Sequence, residues 1–367
     1  MIPYFKLFQE LQKNPTANFS QLAKTLSEIS EETAITDKTA KAHYDFLLKE
    51  GYISGVRAKY IPESIGLQTN TYILTVPDLK RVELLEKLGD QHFFTTFRNR
   101  ILGTTQGLFI QFDLPADSIK YLDDLMLKLE ELNLIEKYEK IPSINIKIGT
   151  SPEFKFFDNE NTKWTWDIFK WSEHYEKSSE NLPKEHPKIS NVQGRIKPLD
   201  IKLLAEITKG SKYYHKQVNF AKKFEVSPVQ ITRRLSFLND NVVKYRLLYS
   251  RAKIQAVDLV LFRGKCSEDR KIKLYNLIRK HPVPFDTGFE LLEDGFLWRL
   301  NIPPTYTSLF GEVLWKICAR LNFYRFDHNR SMLYYFYNKN FDTDENKWIA
   351  NRKEVFEQPL EWIKKQM

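Results

Sequence analysis

Gly107-Leu-Phe-Ile-Gln-Phe-Asp-Leu-Pro115 and Gly295-Phe-Leu-Trp-Arg-Leu-Asn-Ile-Pro303 share one frame: a glycine, a β-rich run, and a proline eight positions on. Each run also occupies the same place in a longer pattern. Before the first come a strand at Thr71–Val76, a helix from Asp78 to Leu88 with Leu79, Val82, Leu85 and Leu88 at helical spacing, and a strand at Phe93–Ile101. After it come a helix over Ala116–Leu132 and a strand over Leu134–Ile141. The order β-α-β-β-α-β is the ferredoxin-like arrangement. Around the second run the order recurs: strand Val257–Phe262, helix Ser267–Lys280 with Ile272, Tyr275 and Ile278, strand Phe285–Leu292, helix Thr305–Leu321 and strand Phe323–His328, with room for one more strand over Ser331–Tyr337.

A helical segment precedes each sandwich, Tyr4–Gly51 and Pro198–Asn241. Each is followed by a short β-like stretch containing one tripeptide, Arg57-Ala58-Lys59 and Arg251-Ala252-Lys253, which reads as a second mark of the repeat. The expected architecture is therefore α+β: two winged helix-turn-helix domains alternating with two ferredoxin-like βαββαβ domains. The boundaries are 1–66 and 67–150 for the first copy, 196–254 and 255–343 for the second. Residues 151–195 form a linker with a short aromatic helix, Trp164, Ile168, Trp171 and Tyr175 sharing one face. Ser178–Gly194 reads as flexible, and 344–367 as a helical tail broken near Pro359.

The second helical segment is the more explicit. Leu199, Ile201, Leu203, Leu204 and Ile207 mark its first helix, and Val218, Ala221 and Phe224 a second over Lys216–Phe224. Ser227-Pro228 then opens a third: the hydroxyl accepts an orphan N–H, and proline loses no hydrogen bond at that position. Ile231, Leu235 and Leu238 form its apolar seam and leave Gln230, Arg233 and Arg234 outside it. Such a helix suits a major groove, because Gln can pair with adenine and Arg with guanine or phosphate. Residues 196–254 hold 13 Lys or Arg against 4 acids, an excess equal to the whole chain's +9, whereas residues 1–60 hold 8 against 7. A local cationic excess is the footprint expected of phosphate binding. The expected contacts with double-stranded DNA are Ser227, Gln230, Arg233 and Arg234 on the probe helix, with Lys222, Lys223, Arg251 and Lys253 on phosphates. In the first copy Lys38, Lys41 and His43 on a helix over Thr36–Gly51 are candidates, although the acidic turn Ser27–Thr33 would repel phosphate.

The stretch Phe220-Ala-Lys-Lys-Phe-Glu-Val-Ser-Pro-Val-Gln-Ile-Thr-Arg-Arg-Leu-Ser-Phe-Leu238 resembles the helix-turn-helix of the Lrp/AsnC (feast/famine) transcription regulators. Leu47-Leu-Lys-Glu-Gly-Tyr-Ile53 and Arg57-Ala-Lys-Tyr-Ile-Pro-Glu-Ser-Ile-Gly-Leu67 are similar to that family's exit into wing and linker. The sandwiches match its RAM-type effector and oligomerisation domain. The resemblance implies paired winged helices on DNA, sandwiches packed sheet to sheet, and a homo-oligomer or, with two copies in one chain, an intrachain pseudo-dimer. Three departures stand out. The chain is duplicated. The first turn is about seven residues longer than the family pattern, and Asn241 stands where the family often has Gly. The glycine-aspartate signature before the third strand is missing at Gln106-Gly107-Leu108 and Asp294-Gly295-Phe296, so a small-molecule effector is not implied.

Other classes find little footing. There is no P-loop, GxGxxG or Cys-x-x-Cys, and the histidines at 43, 92, 174, 186, 215, 281 and 328 lack ligand spacing. Glu130 and Glu131 lie on a charged helix. The expectation is no enzyme, no cofactor and no metal. No run of about 20 apolar residues spans a bilayer, Met1-Ile-Pro-Tyr-Phe-Lys6 lacks the basic and apolar regions of a signal peptide, and Cys266 and Cys318 form no disulfide framework, so the expected location is the cytoplasm. The competing functions are a protein-interaction scaffold that has left DNA and a small-molecule sensor.

Overall fold

The computed structural model describes residues 3–29, 35–158, 160–183, 189–212 and 217–367, and shows a mixed α+β chain laid out twice. The first half begins with helices α1 (Pro3–Lys13), α2 (Phe19–Ile29) and α3 (Asp37–Lys49) and strand β1 (Ile53–Tyr60). Then follow β2 (Gln68–Thr75), α4 (Leu79–Gln91), β3 (Thr95–Gly103), β4 (Gly107–Leu114), α5 (Ile119–Glu131), β5 (Lys137–Lys140) and β6 (Ser143–Thr150). A hairpin of β7 (Phe157–Asp158) and β8 (Lys163–Trp164) and a short helix α6 (Ile168–Ser172) lead to the second half. That half has α7 (Pro198–Ile207), α8 (Gln217–Phe224), α9 (Pro228–Asn241) and β9 (Val243–Tyr249). Its sandwich has β10 (Asp258–Lys265), α10 (Glu268–Lys280), β11 (Asp286–Leu292), β12 (Gly295–Ile302), α11 (Pro304–Ile317), β13 (Arg320–Phe326) and β14 (Met332–Leu333). A second hairpin, β15 (Phe341–Asp342) and β16 (Lys347–Trp348), and helix α12 (Gln358–Gln366) end it. The acidic turn at 30–34, linker residues 184–188, the start of the predicted second helix at Lys216, and His186 and His215 lie outside the described residues.

Local chemistry sets these limits. Thr36 caps α3 by accepting from Thr39 N, and Asp78 caps α4 by accepting from Arg81 N. Ser227 and Gln230 form a reciprocal capping box at α9, with Pro228 in the first turn. The glycines that frame β4 and β12 have φ 153° and 151°. A Cβ there would come within 2.0 Å of Leu74 O at Gly107 and of Gly264 O at Gly295. Each strand thus starts pressed against its neighbour's backbone, where no side chain fits.

The strands form one curled sheet in the order β5-β2-β4-β3-β13-β10-β12-β11-β6. Its two halves pack face to face through Ile73, Phe97, Phe109, Leu259, Leu261, Leu297, Tyr324 and Phe326, and the outer faces carry the helices. One side closes by pairing β3 with β13, Gly103 opposite Tyr324. The other closes where the chain bends at Ile141-Pro142: β5 stays on β2, and β6 crosses to β11. The strand expected over 134–141 is therefore shorter, and a crossing strand follows it that the sequence reading did not contain. Ile144, Ile146 and Ile148 pack against the second sandwich's helical side.

The helical units meet through a two-stranded ribbon, β1 against β9, with Arg57 opposite Arg246. This corrects the tripeptide equivalence. Arg57-Ala58-Lys59 lies in the ribbon, whereas Arg251 precedes a 3-10 turn over Ala252–Ile254. The true internal mark is a different one, Phe157-Asp158…Lys163-Trp164 and Phe341-Asp342…Lys347-Trp348. Trp164 Nε1 donates to Ile254 O (2.7 Å) and Trp348 Nε1 to Ile65 O (2.8 Å). Each hairpin therefore pins the linker that enters the other half's sandwich. The first also fastens the first helical unit to the second sandwich, with Phe154 4.9 Å from Phe8 and Trp164 5.0 Å from Phe285 between ring centroids. Among the described residues no helix is long and apolar enough to cross a membrane.

Candidate functional site

In an antiparallel pair, residues directly opposite each other project on the same face. On one face of the ribbon Val56, Ala58, Val243 and Leu247 are buried in the helical cores. On the other, Arg57 stands opposite Arg246 and Lys59 opposite Lys244. Like charges in facing positions destabilise a ladder, so this face is an arrangement that folding alone does not favour.

The polar end of the sandwich interior meets that face. Lys59 keeps contact with solvent, yet burial, then Arg246 and Arg299, hold its ammonium down to about 8. A side chain that is both wetted and desolvated ends in a recess walled by protein. Arg299, on the inner face of β12, is held down to about 10 by burial, with Arg246 and Arg251 adding to the effect against Asp286. Burial, with Arg246 contributing, also lowers Arg57, which donates to Tyr334 O (3.0 Å) and lies 5.2 Å from the Tyr335 ring centroid. Lys147, from the crossing strand β6, contributes a further charge but is met by Glu290 at 3.3 Å. Among the described residues Lys59, Lys244, Arg246 and Arg299 make no ion pair.

Asp113 lies at one margin of this chamber and is 5% exposed. It accepts from Tyr60 Oη (2.7 Å) and Thr69 Oγ1 (2.7 Å), and burial pushes its carboxyl up. Burial and Asp113 together push the Tyr60 phenol well above its ordinary value. At the other end of the ribbon Asp286 is engaged by Arg251 (3.5 Å) and by Asn301 Nδ2 (3.2 Å). The chamber thus offers several uncompensated cations and a neutral phenol, a set suited to a multiply charged anion.

The residues expected to touch DNA do not gather into one surface. Ser227 and Gln230 are spent on each other in the α9 cap. Arg233 is exposed, with Val229 beside it 76% exposed. Arg234 pairs with Asp200, which is fully buried, and donates to Arg195 O, so it fastens α9 to α7. Lys222 is exposed, whereas Lys223 pairs with Glu206 at 2.6 Å. Arg251 turns to Asp286, and Lys253 lies 5.3 Å from the Tyr52 ring centroid. In the first unit Lys38 is exposed and Lys41 pairs with Asp45 (2.5 Å). His43 packs edge-on against Tyr4, and burial lowers its pKa. Part of the basic excess of 196–254 belongs to this cluster: Arg246 is exposed, and its charge acts on Lys59 and Arg299. The sequence signal was the alternation Arg57-x-Lys59 and Lys244-x-Arg246, charge at period two on strands rather than on a helix.

No family model matches the sequence, and no curated protein matches it. Among solved structures, likeness extends over the whole chain for the siroheme decarboxylase NirDL: 14% identity, 99% of each chain, TM-score 0.57. The same enzyme in co-complex with an iron-uroporphyrin III analogue gives 13% identity, 100% of each chain and TM-score 0.56. E. coli AsnC, at 18% identity, overlaps 41% of this chain and 95% of its own with a TM-score of 0.33, too low to argue from. Likeness at such identity establishes the fold, a mixed α+β fold shared with NirDL. It overturns the reading as a DNA-binding transcription regulator. The structure that the entire chain resembles is that of an enzyme, NirDL, so neither double-stranded DNA as the partner nor the exclusion of an enzyme stands. The physical lesson is that a fold is a scaffold, and function lies in sites grafted on it.

Proposed function

We propose that this chain binds a polycarboxylated tetrapyrrole in the chamber beneath the ribbon and removes carboxylate from it as CO2. The observation that carries the reading is the set Lys59, Arg246 and Arg299, brought close enough to act on one another where the ribbon meets the curled sheet, and without an ion pair among the described residues. A macrocycle rimmed with carboxylates would relieve their mutual repulsion and gain charge-assisted hydrogen bonds. The whole-chain likeness to NirDL, one structure of which holds an iron-uroporphyrin III analogue, supports the choice of ligand and reaction. Loss of CO2 needs a held carboxylate and a proton for the carbon left behind, and consumes no oxidant.

In this reading 1–66 and 196–254 are winged helix-turn-helix modules, 67–150 and 255–343 are ferredoxin-like, and 151–195 and 344–367 fasten them into an intrachain pseudo-dimer. The helical units serve as the roof of the chamber through their shared ribbon. The test is incubation of the protein with iron-uroporphyrin III under multiple-turnover conditions, followed by mass spectrometry of the macrocycle. The expected product is lighter by CO2, and Arg246→Ala slows its formation at least tenfold. A macrocycle of unchanged mass after prolonged incubation overturns the reading.

A further inference from the structure

The ribbon strands both end in tyrosine, Tyr60 on β1 and Tyr249 on β9, and Arg57 and Arg246 occupy matching places directly opposite each other. The two tyrosines are thus related by the local two-fold of the ribbon, and each lies near an aspartate of the sandwich interior. Their surroundings differ. Tyr60 Oη donates to Asp113 at 2.7 Å, and Asp113 makes no ion pair among the described residues. Near Tyr249 the carboxylate of Asp286 is already neutralised by Arg251 at 3.5 Å. Lys59 adjoins Tyr60 in sequence, while the second strand has Leu248 at the corresponding place.

We infer that Tyr60 delivers the proton that completes decarboxylation, that Asp113 positions it, and that the Tyr249 end of the ribbon takes no part. The inference rests on the tetrapyrrole reading above. In the step, the bond between a side-chain methylene and its carboxylate carbon breaks. The electron pair stays on the methylene, where the macrocycle delocalises it, and CO2 departs. The Tyr60 O–H proton then forms the new C–H bond, and the charge of Arg57 stabilises the phenolate until water reprotonates it. A phenol kept neutral at all working pH values is fitted to this task. A carbanion is basic enough to take its proton, and the desolvated Arg57 guanidinium favours the phenolate so formed. Asp113 fixes the hydroxyl's place, together with Thr69 on its other oxygen.

The experiment combines ligand binding with single-turnover decarboxylation of iron-uroporphyrin III by the full chain. Tyr60→Phe is expected to bind within threefold of the parent and to lose at least about a hundredfold in rate. Tyr249→Phe is expected to stay within twofold in both. Asp113→Asn separates positioning from structure. Without the carboxylate the Tyr60 phenol falls back toward the ordinary value of about 10, so the alkaline decline in rate begins at lower pH than in the parent. An active parent with an equally active Tyr60→Phe, or an Asp113→Asn pH profile identical to the parent's, overturns this inference alone. A parent that does not decarboxylate the macrocycle at all removes both the reading and the inference.

Discussion

Two arginines on the inner face of the second sheet, Arg263 on β10 and Arg299 on β12, have opposite surroundings. Arg263 is 1% exposed and its charge is met by acids: it donates to Asp294 at 2.5 Å and to Gly264 O at 3.1 Å, with Glu139 at 3.4 Å. Arg299 is half-buried, its near neighbours are mostly cations, and burial holds it below its ordinary value. One region of the interior uses a guanidinium to tie strands together. The other carries charge that folding does not need. Taking charge out of water without an ion pair costs free energy, and a protein retains such charge where something outside the fold supplies the partner.

The comparison can be broken at several points. The largest effect is expected on binding from Arg246→Glu, which places a carboxylate in the chamber beside Arg57. The Kd for iron-uroporphyrin III should rise about a hundredfold or more, read by absorbance titration. Arg263→Met should lower stability by about 2 kcal/mol in urea unfolding and leave that Kd unchanged. The value is moderate because Asp294 and Glu139, at 39% and 37% exposure, can rehydrate. Arg299→Met should do the reverse: stability unchanged or higher by up to about 1 kcal/mol, and binding about tenfold weaker. Loss of stability in Arg299→Met as large as in Arg263→Met would erase the distinction.

The smallest effect is a pH dependence at Lys59. Its folded pKa, about 8, lies below the 10.5 of the free side chain. Between these values the unfolded chain binds more protons than the folded one, so stability rises with pH across that window, and the penalty is complete below about 8. Binding runs the other way, because the free protein loses the Lys59 charge above about 8. Lys59→Arg should keep binding flat through pH 9, and Lys59→Gln should abolish the dependence at a lower affinity. A parent whose affinity stays constant from pH 7 to 9.5 would contradict the assignment.

Much of the scaffold was legible because its signals are local. The Gly107…Pro115 and Gly295…Pro303 frames mark strands whose first residue admits no side chain, and Ser227-Pro228 is a helix start that any context would honour. The hairpin mark Phe-Asp…Lys-Trp was equally local but fell in segments read as linker and tail. The alternation Ile144, Ile146, Ile148 also marks β6, although its crossing to the second sandwich depends on a register that no short window contains. The chamber was the least legible. Arg57 and Arg246 become neighbours only through the pairing of β1 with β9, and Arg299 joins them only when the sheet curls. Counting charge by segment placed Arg246 on a DNA-facing module because a count has no direction. Its place outside the apolar seam of Ile231, Leu235 and Leu238 gave Arg234 to DNA, whereas buried Asp200 claims it.

The account turns on whether the chamber's cations recognise carboxylates. Its most direct measurement is a paired titration of the protein with iron-uroporphyrin III and with the fully esterified form of the same macrocycle, each at low and high salt. Saturable binding of the acid form that weakens as salt rises, with little binding of the ester, is the predicted result. Equal affinity for the two forms, or affinity indifferent to salt, would show that the charged ribbon does not hold the ligand.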